Sequence, residues 1–123
     1  DFDNWKKDIQ EAYGQAASGV LALEEQIGKN SDEEVTRRRK SFQRHQDEIW
    51  KVVNELPDAE EIKGILLSMD APYSPAQLDV SPELLKHGIY FAKDLRNRFG
   101  LLQILFDFHM QEVFSSNLID EFY

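Results

Sequence analysis

Apolar residues recur along this chain every three or four positions, the repeat of a buried helix face, and no alternating Val/Ile/Thr run between turn residues marks a strand. Trp5, Ile9 and Tyr13 stand four apart, with Asp3 available as an N-cap. Val20, Leu23 and Ile27 continue the stripe to Gly28, a residue suited to a left-handed C-terminal cap. Gly14 and Gly19 weaken this stretch while Ala12, Ala16, Ala17 and Ala22 favour it, so residues 4–27 read as one bent helix or two short ones.

Ser31 followed by Glu34 has capping-box spacing, and Asp32, Glu33 and Glu34 place negative charge where a helix dipole favours it. Val35, Phe42, Ile49 and Leu56 then stand seven apart, with Trp50 and Val53 widening the stripe, and Pro57 ends the helix. Asp58 and Glu61 open the next, whose apolar face is Ile62, Ile65, Leu66 and Met69. Ser74-Pro75 and Ser81-Pro82 both pair an N-cap with a proline at the first helical position. The first predicts a single turn ending near Leu78. The second predicts a long helix carrying Leu84, Leu85, Ile89, Ala92, Leu95 and Phe99. Gly100 marks a kink or a short loop, Leu101–Phe114 is the most apolar segment, and Ser115-Ser116-Asn117 reads as a polar break. The expectation is an all-α bundle of about six helices, with residues 1–123 forming one domain.

Composition narrows the possibilities. With 123 residues and 41% apolar positions, the chain supports one core and not two. It has no cysteine, which excludes disulfides, thiolate metal sites and a cysteine nucleophile. Twenty-three acidic residues against 14 basic ones give a formal charge of −9, unfavourable for binding nucleic acid. The longest apolar stretch, Phe99–Phe106, is far below the ~20 residues of a membrane span, and no signal peptide is evident. The chain begins Asp1-Phe2-Asp3 with no initiator Met, which raises the expectation of a fragment.

Candidate chemistry is sparse. His45, His87 and His109 are scattered, with neither an HExxH motif nor paired Glu-x-x-His motifs; Glu83 and His87 share a face as an ordinary surface pair. Arg37-Arg38-Arg39-Lys40 with Arg44 could form a phosphate patch. Glu33 and Glu34, four residues before Arg37 and Arg38, favour instead a solvated, salt-bridged face, still able to meet a partner domain. Gly-rich phosphate loops and nucleophile elbows are absent. The aromatic and Met residues of the last helices (Phe99, Phe106, Phe108, Met110, Phe114, Phe122, Tyr123) read first as core. Leu101–Phe108, however, is apolar on nearly every side, which predicts neighbours beyond those a short chain supplies. No catalytic, cofactor-binding or metal-ligating residue is assigned.

Three segments together carry a resemblance: Leu56-Pro57-Asp58-Ala59-Glu60-Glu61-Ile62, Ala71-Pro72-Tyr73-Ser74-Pro75, and Lys93-Asp94-Leu95-Arg96-Asn97-Arg98-Phe99. In order and spacing they resemble the C-terminal part of the sn-glycerol-1-phosphate dehydrogenase family, of the dehydroquinate synthase-like and iron-containing alcohol dehydrogenase group. That family's pattern has an LPSPEEI helix start, a GAP turn with a Ser/Thr-Pro cap, and an AKEIRDRYT helix. Glu11-Ala12-Tyr13-Gly14 and Ala22-Leu23-Glu24-Glu25 are similar to its preceding helix. Three departures stand out: Asp70 where the pattern has Gly, Asn97 where it has Asp, and Gly100 where it has Thr. The tail after Phe108 also diverges.

The resemblance implies the helical C-terminal domain of a cytoplasmic NAD(P)-dependent oxidoreductase. In such an enzyme a divalent metal (zinc, nickel or iron) is held by one Asp and two His, and dihydroxyacetone phosphate is reduced to sn-glycerol 1-phosphate. Nucleotide loops and metal ligands would lie upstream, in an α/β domain, so this chain alone would be inactive. A homodimer is plausible on the apolar surface. Arg96 and Arg98 are expected to pair within the domain and not to clamp substrate. The rival reading is a stand-alone acidic helical bundle that serves as a protein-interaction module.

Overall fold

The computed structural model describes residues 2–123. Among them there are only helices: eight α-helices and three short 3₁₀ segments. They are α1 (Phe2–Tyr13), α2 (Ala17–Ile27), α3 (Asp32–Arg44), α4 (Gln46–Val53), α5 (Ala59–Ser68), α6 (Pro82–Phe91), α7 (Leu101–Asp107) and α8 (Gln111–Phe122). The all-α expectation stands, with more and shorter helices than the six expected.

Each extra break has a local cause. Gly14 takes φ +50°, so the first segment divides into α1 and α2 around a 3₁₀ turn at Gly14–Ala16. The helix expected to run from Ser31 to Pro57 breaks at His45, whose φ of −107° and ψ of 21° leave the helical region. The helix expected to reach Phe99 ends at Phe91, passes through a 3₁₀ turn at Ala92–Leu95, and is stopped by extended Arg96 (φ −148°, ψ 151°). Ser115-Ser116-Asn117 is not a break. These residues lie inside α8, where Ser115 Oγ donates to the Glu112 carbonyl; the chain turns instead at His109, φ +57°.

Of the predicted caps Asp3 fails, because α1 already begins at Phe2 and Asp3 lies in its first turn; the caps of the later helices hold. Ser31, Asp58 and Ser81 accept from the backbone N–H of Glu34, Glu61 and Leu84 at 3.4, 2.8 and 3.2 Å. Glu34 does not complete its box, because its carboxylate turns to Arg37. At Ser74 the reciprocal half comes from Gln77, whose Oε1 accepts from the Ser74 and Tyr73 N–H groups. Gly28 is left-handed, and its N–H reaches the Glu24 carbonyl at 2.7 Å.

The apolar core is small. Ile9, Ala17 and Val20 are buried together, with Trp5, Tyr13, Leu21 and Phe91 packed around them. Helix α1 packs on α2 and α6, α6 on α8, and α7 on α3, α6 and α8. Helices α4 and α5 bury no residue, and they and their flanking turns leave Trp50, Val52, Val53, Leu56, Ile62, Ile65, Leu67 and Met69 exposed. The Leu101–Phe108 stretch differs from expectation in kind. Helix α7 buries Leu105 together with Gln103 and Asp107, and it exposes Leu101.

Candidate functional site

Among the described residues, seven polar or charged ones are buried: Glu24, Lys29, Lys93, Asp94, Gln103, Asp107 and Ser115. Six of them belong to one region where α2, the α2–α3 turn, the 3₁₀ turn after α6 and α7 converge. The 3₁₀ turn inserts Lys93 and Asp94, both side chains 2% exposed. Lys93 Nζ donates to both Asp94 carboxylate oxygens at 2.7 and 2.8 Å and lies 3.9 Å from the centre of the Phe106 ring. Asp94 also accepts from Asn30 Nδ2 at 2.8 Å and from Trp5 Nε1 at 3.3 Å. Lys29 Nζ donates to the Lys93 and Arg96 carbonyls, the second at 2.9 Å, and so ties down the turn. Glu24 accepts from the Asn30 N–H at 2.7 Å.

Hydrogen bonds extend this cluster to α3. Gln103 Nε2 donates to Asn30 Oδ1 at 3.2 Å and to Asp107 Oδ1 at 3.0 Å. Arg38 grips Asp107 with two bonds, Nε at 2.6 Å and Nη2 at 2.8 Å. Arg39 Nε donates to the Asp107 carbonyl, and its Nη2 lies 2.8 Å from His109 Nε2. An uninterrupted path therefore runs Trp5–Asp94–Asn30–Gln103–Asp107–Arg38.

Burial sets the electrostatics. Desolvation pushes the Lys93 ammonium below its ordinary value, with Asp94 opposing it, and it lowers Lys29 for the same reason. Desolvation likewise raises the Glu24 carboxyl, with the Asn30 N–H opposing. Lys93 is an ion-paired, pinned amine and not a nucleophile free to attack. Two cavities border the network. One of about 860 Å³ has aromatic walls at Trp5, Phe91 and Phe106 and reaches Glu24, Asn30 and Lys93. The other, about 390 Å³, reaches Lys29, Arg38 and Gln103.

Known proteins supply no guide to this arrangement. No family model, curated protein or solved structure matches the chain.

The basic run divides between two fates. Arg37 stays on the solvated face, paired at 2.8 Å with Glu34 three residues back and not with Glu33, the partner that the four-residue spacing pointed to. Arg38 and Arg39 turn inward to Asp107, which corrects the reading of the run as a wholly solvated face. Arg96 and Arg98 are exposed and neither guanidinium forms an ion pair among the described residues, so the expected pairing within the domain is not made.

The three histidines stay apart in role. His45 caps α3 with its ring against the Ser41 carbonyl, His87 stacks edgewise on Phe91, and His109 meets Arg39. Glu83 makes no bond to His87; its own backbone N–H and, to a lesser degree, the Ser81 hydroxyl engage its carboxylate and hold it below the usual range. Among the described residues, no group of three or more His, Cys, Asp or Glu is placed to hold a metal ion. The residues present therefore do not fit the divalent metal that the resemblance implies, nor do they form a Gly-rich nucleotide loop. No described helix is long and apolar enough to cross a membrane.

Sequence reasoning missed Lys29, Lys93, Asp94, Gln103 and Asp107. A signal existed for four of them. Lys93 falls four residues after buried Ile89, and Gln103 and Asp107 stand four apart inside the most apolar segment. Asp94 adjoins Lys93. Charged or amide side chains in such phase are polar groups on a core-facing side, which need partners.

Proposed function

We propose that this chain is the helical C-terminal domain of an NAD(P)- and metal-dependent oxidoreductase of the sn-glycerol-1-phosphate dehydrogenase kind. In that reading, nucleotide, metal and catalytic residues are held by an upstream α/β domain of the same protein. The observation that carries it concerns two of the departures from the family pattern. Asp70, where the pattern has Gly, closes α5 in the left-handed region at φ +54°, a conformation that favours glycine. Gly100, where the pattern has Thr, is the N-cap of α7, with extended backbone, no side-chain cap, and open space where a Cβ would stand. At both positions the local geometry calls for the residue that the family pattern supplies and this chain lacks.

Two further observations support the reading. Lys93 and Asp94, from the last of the three matching segments, are the centre of the buried network. The uncovered apolar side chains of α4 and α5, Trp50 at 56% and Ile65 at 51% exposure among them, suit a domain that packs against another. The same surface also favours the rival interaction module. The two readings separate in one experiment: reading the upstream coding sequence and assaying the encoded protein for NAD(P)H-dependent reduction of dihydroxyacetone phosphate with added divalent metal. The oxidoreductase reading expects an upstream Gly-rich nucleotide loop, turnover by the long protein, and none by residues 1–123 alone. A Met codon directly before Asp1, or turnover by the short chain, would overturn it.

A further inference from the structure

The larger cavity combines aromatic walls with carboxylates that have no cation. At about 860 Å³ it has the volume of a small-molecule site. Trp5, Phe91 and Phe106 form its walls, and Asp8, Glu24 and Asp32 border it. None of these three carboxylates makes an ion pair among the described residues. The two permanent cations on the same wall are already engaged. Lys93 is closed on Asp94, and Arg39 is turned to the Asp107 carbonyl and His109. An entering anion would meet three carboxylates, so the wall favours a positive charge.

Glu24 decides where that charge sits. It is 5% exposed, and a carboxylate buried without a countercharge is costly. Its Oε1 accepts from the Asn30 N–H, while Oε2 has no hydrogen-bond partner among the described residues. Of the buried side-chain atoms described, Gln103 Oε1 alone is both unpartnered and sealed from solvent, so Glu24 Oε2 keeps access to it. The surface that Glu24 retains opens on the cavity that it borders. Hydrogen bonds also fix its distance from the aromatic wall. Asn30 donates to Asp94 through Nδ2, and Asp94 accepts from Trp5 Nε1, so two side chains separate Glu24 from the indole. Desolvation raises the Glu24 carboxyl, the behaviour of a buried acid that lacks its cation.

Oε2 calls for an N–H donor, the carboxylate for a positive charge, and the walls for a flat apolar body. We propose that this cavity binds a protonated arylalkylamine, with its ammonium donating to Glu24 Oε2 and its ring against Trp5 and Phe91. Phe106 is less free, because Lys93 Nζ already covers its ring at 3.9 Å. A quaternary ammonium brings the charge without the N–H, and a plain alkylamine brings the N–H without the ring. The site does not depend on the reading of the chain as a domain of an oxidoreductase.

The test is calorimetric titration of the intact protein at fixed ionic strength and about pH 8, between the ordinary carboxyl and amine values. Its probes are phenethylamine, the N-trimethylated form of that amine, butylamine, and hydrocinnamate, the carboxylate counterpart. Glu24→Gln is the diagnostic variant, because it removes the charge and keeps an oxygen for the Asn30 N–H. Glu55→Gln, exposed between α4 and α5, is the charge control. Phenethylamine should bind, about tenfold more weakly to Glu24→Gln and unchanged to Glu55→Gln. The trimethylated amine and butylamine should each bind at least about tenfold more weakly than phenethylamine, and hydrocinnamate should not bind measurably. The ligand comparison uses the unaltered protein, so it decides the question even where Glu24→Gln does not fold. Absence of phenethylamine binding, equal affinity in Glu24→Gln and the parent, or a trimethylated amine or hydrocinnamate bound as tightly as phenethylamine would overturn the assignment.

Discussion

Replacing Asp107 by Asn keeps its shape and removes the charge on which Arg38 closes. The Arg38 side chain is 12% exposed and that of Asp107 2%, so the substitution strands a largely desolvated guanidinium. Removing one partner of a buried pair costs about 3–5 kcal/mol, and the partial exposure of Arg38 places the expectation at the lower end, about 3 kcal/mol. The amide can also receive the Gln103 Nε2 bond only on its one remaining oxygen. Unfolding entropy near 2.1 cal/mol/K per residue gives about 0.26 kcal/mol/K for 123 residues. The melting temperature should then fall by about 12 °C. Urea denaturation followed by circular dichroism measures the free energy, and calorimetry the melting point. A double-mutant cycle with Arg38→Gln isolates the pair and should return a coupling of about 2 kcal/mol. The paired apolar replacement Arg38→Met with Asp107→Leu should come back to within about 1 kcal/mol of the parent. A cost below about 1 kcal/mol for Asp107→Asn, with the two changes additive, would refute the view that this contact organises the junction of α3 and α7.

Asp70→Gly should stabilise the protein by about 0.5–1 kcal/mol by relieving the left-handed aspartate, and Gly100→Thr by a few tenths through a new N-cap; destabilisation of either in urea melts would count against the caps described. Desolvation holds the Glu24 carboxyl above its ordinary 4.5, so the folded state keeps that proton longer than the unfolded chain. Its stabilising contribution is complete below 4.5 and is lost as pH rises through the folded value. The pH profile of Glu24→Gln should lack this loss when denaturation midpoints are compared with the parent's. The Tyr90 hydroxyl is pushed to about 12 by desolvation first and then by its 2.5 Å bond to Glu112. Ultraviolet titration of Glu112→Gln should bring it down toward 10 without reaching it; an unchanged titration would show that Glu112 does not hold this proton.

Much of the local structure was legible in the sequence. Ser31, Asp58 and Ser81 were readable as caps, and Gly28 as a left-handed terminus, because a cap is decided by residues three or four positions apart. The apolar period likewise identified the helices and the absence of strands. Interruptions were harder. His45 and Arg96 end helical runs although neither is a helix breaker, and Ser115-Ser116-Asn117 continues one although it looks like a turn. Ser115 is fully buried, and there packing outweighs propensities that differ by only ~0.5 kcal/mol per residue.

The sequence by itself determined an acidic, cysteine-free, all-helical chain and the ends of most of its helices. Tertiary structure alone decided which charges are buried and with what. Arg38 meets Asp107 across 69 positions, Lys29 reaches the Lys93 carbonyl across 64, and Asn30 reaches Asp94 across the same span. Nothing in the local pattern distinguishes Arg38, which turns inward, from Arg37, which stays in water beside Glu34. The physical reason is the range of the forces involved. Caps and periodicity are satisfied within one helical turn, whereas a buried charge is tolerated only where a distant segment brings its counter-charge and donors to the same place.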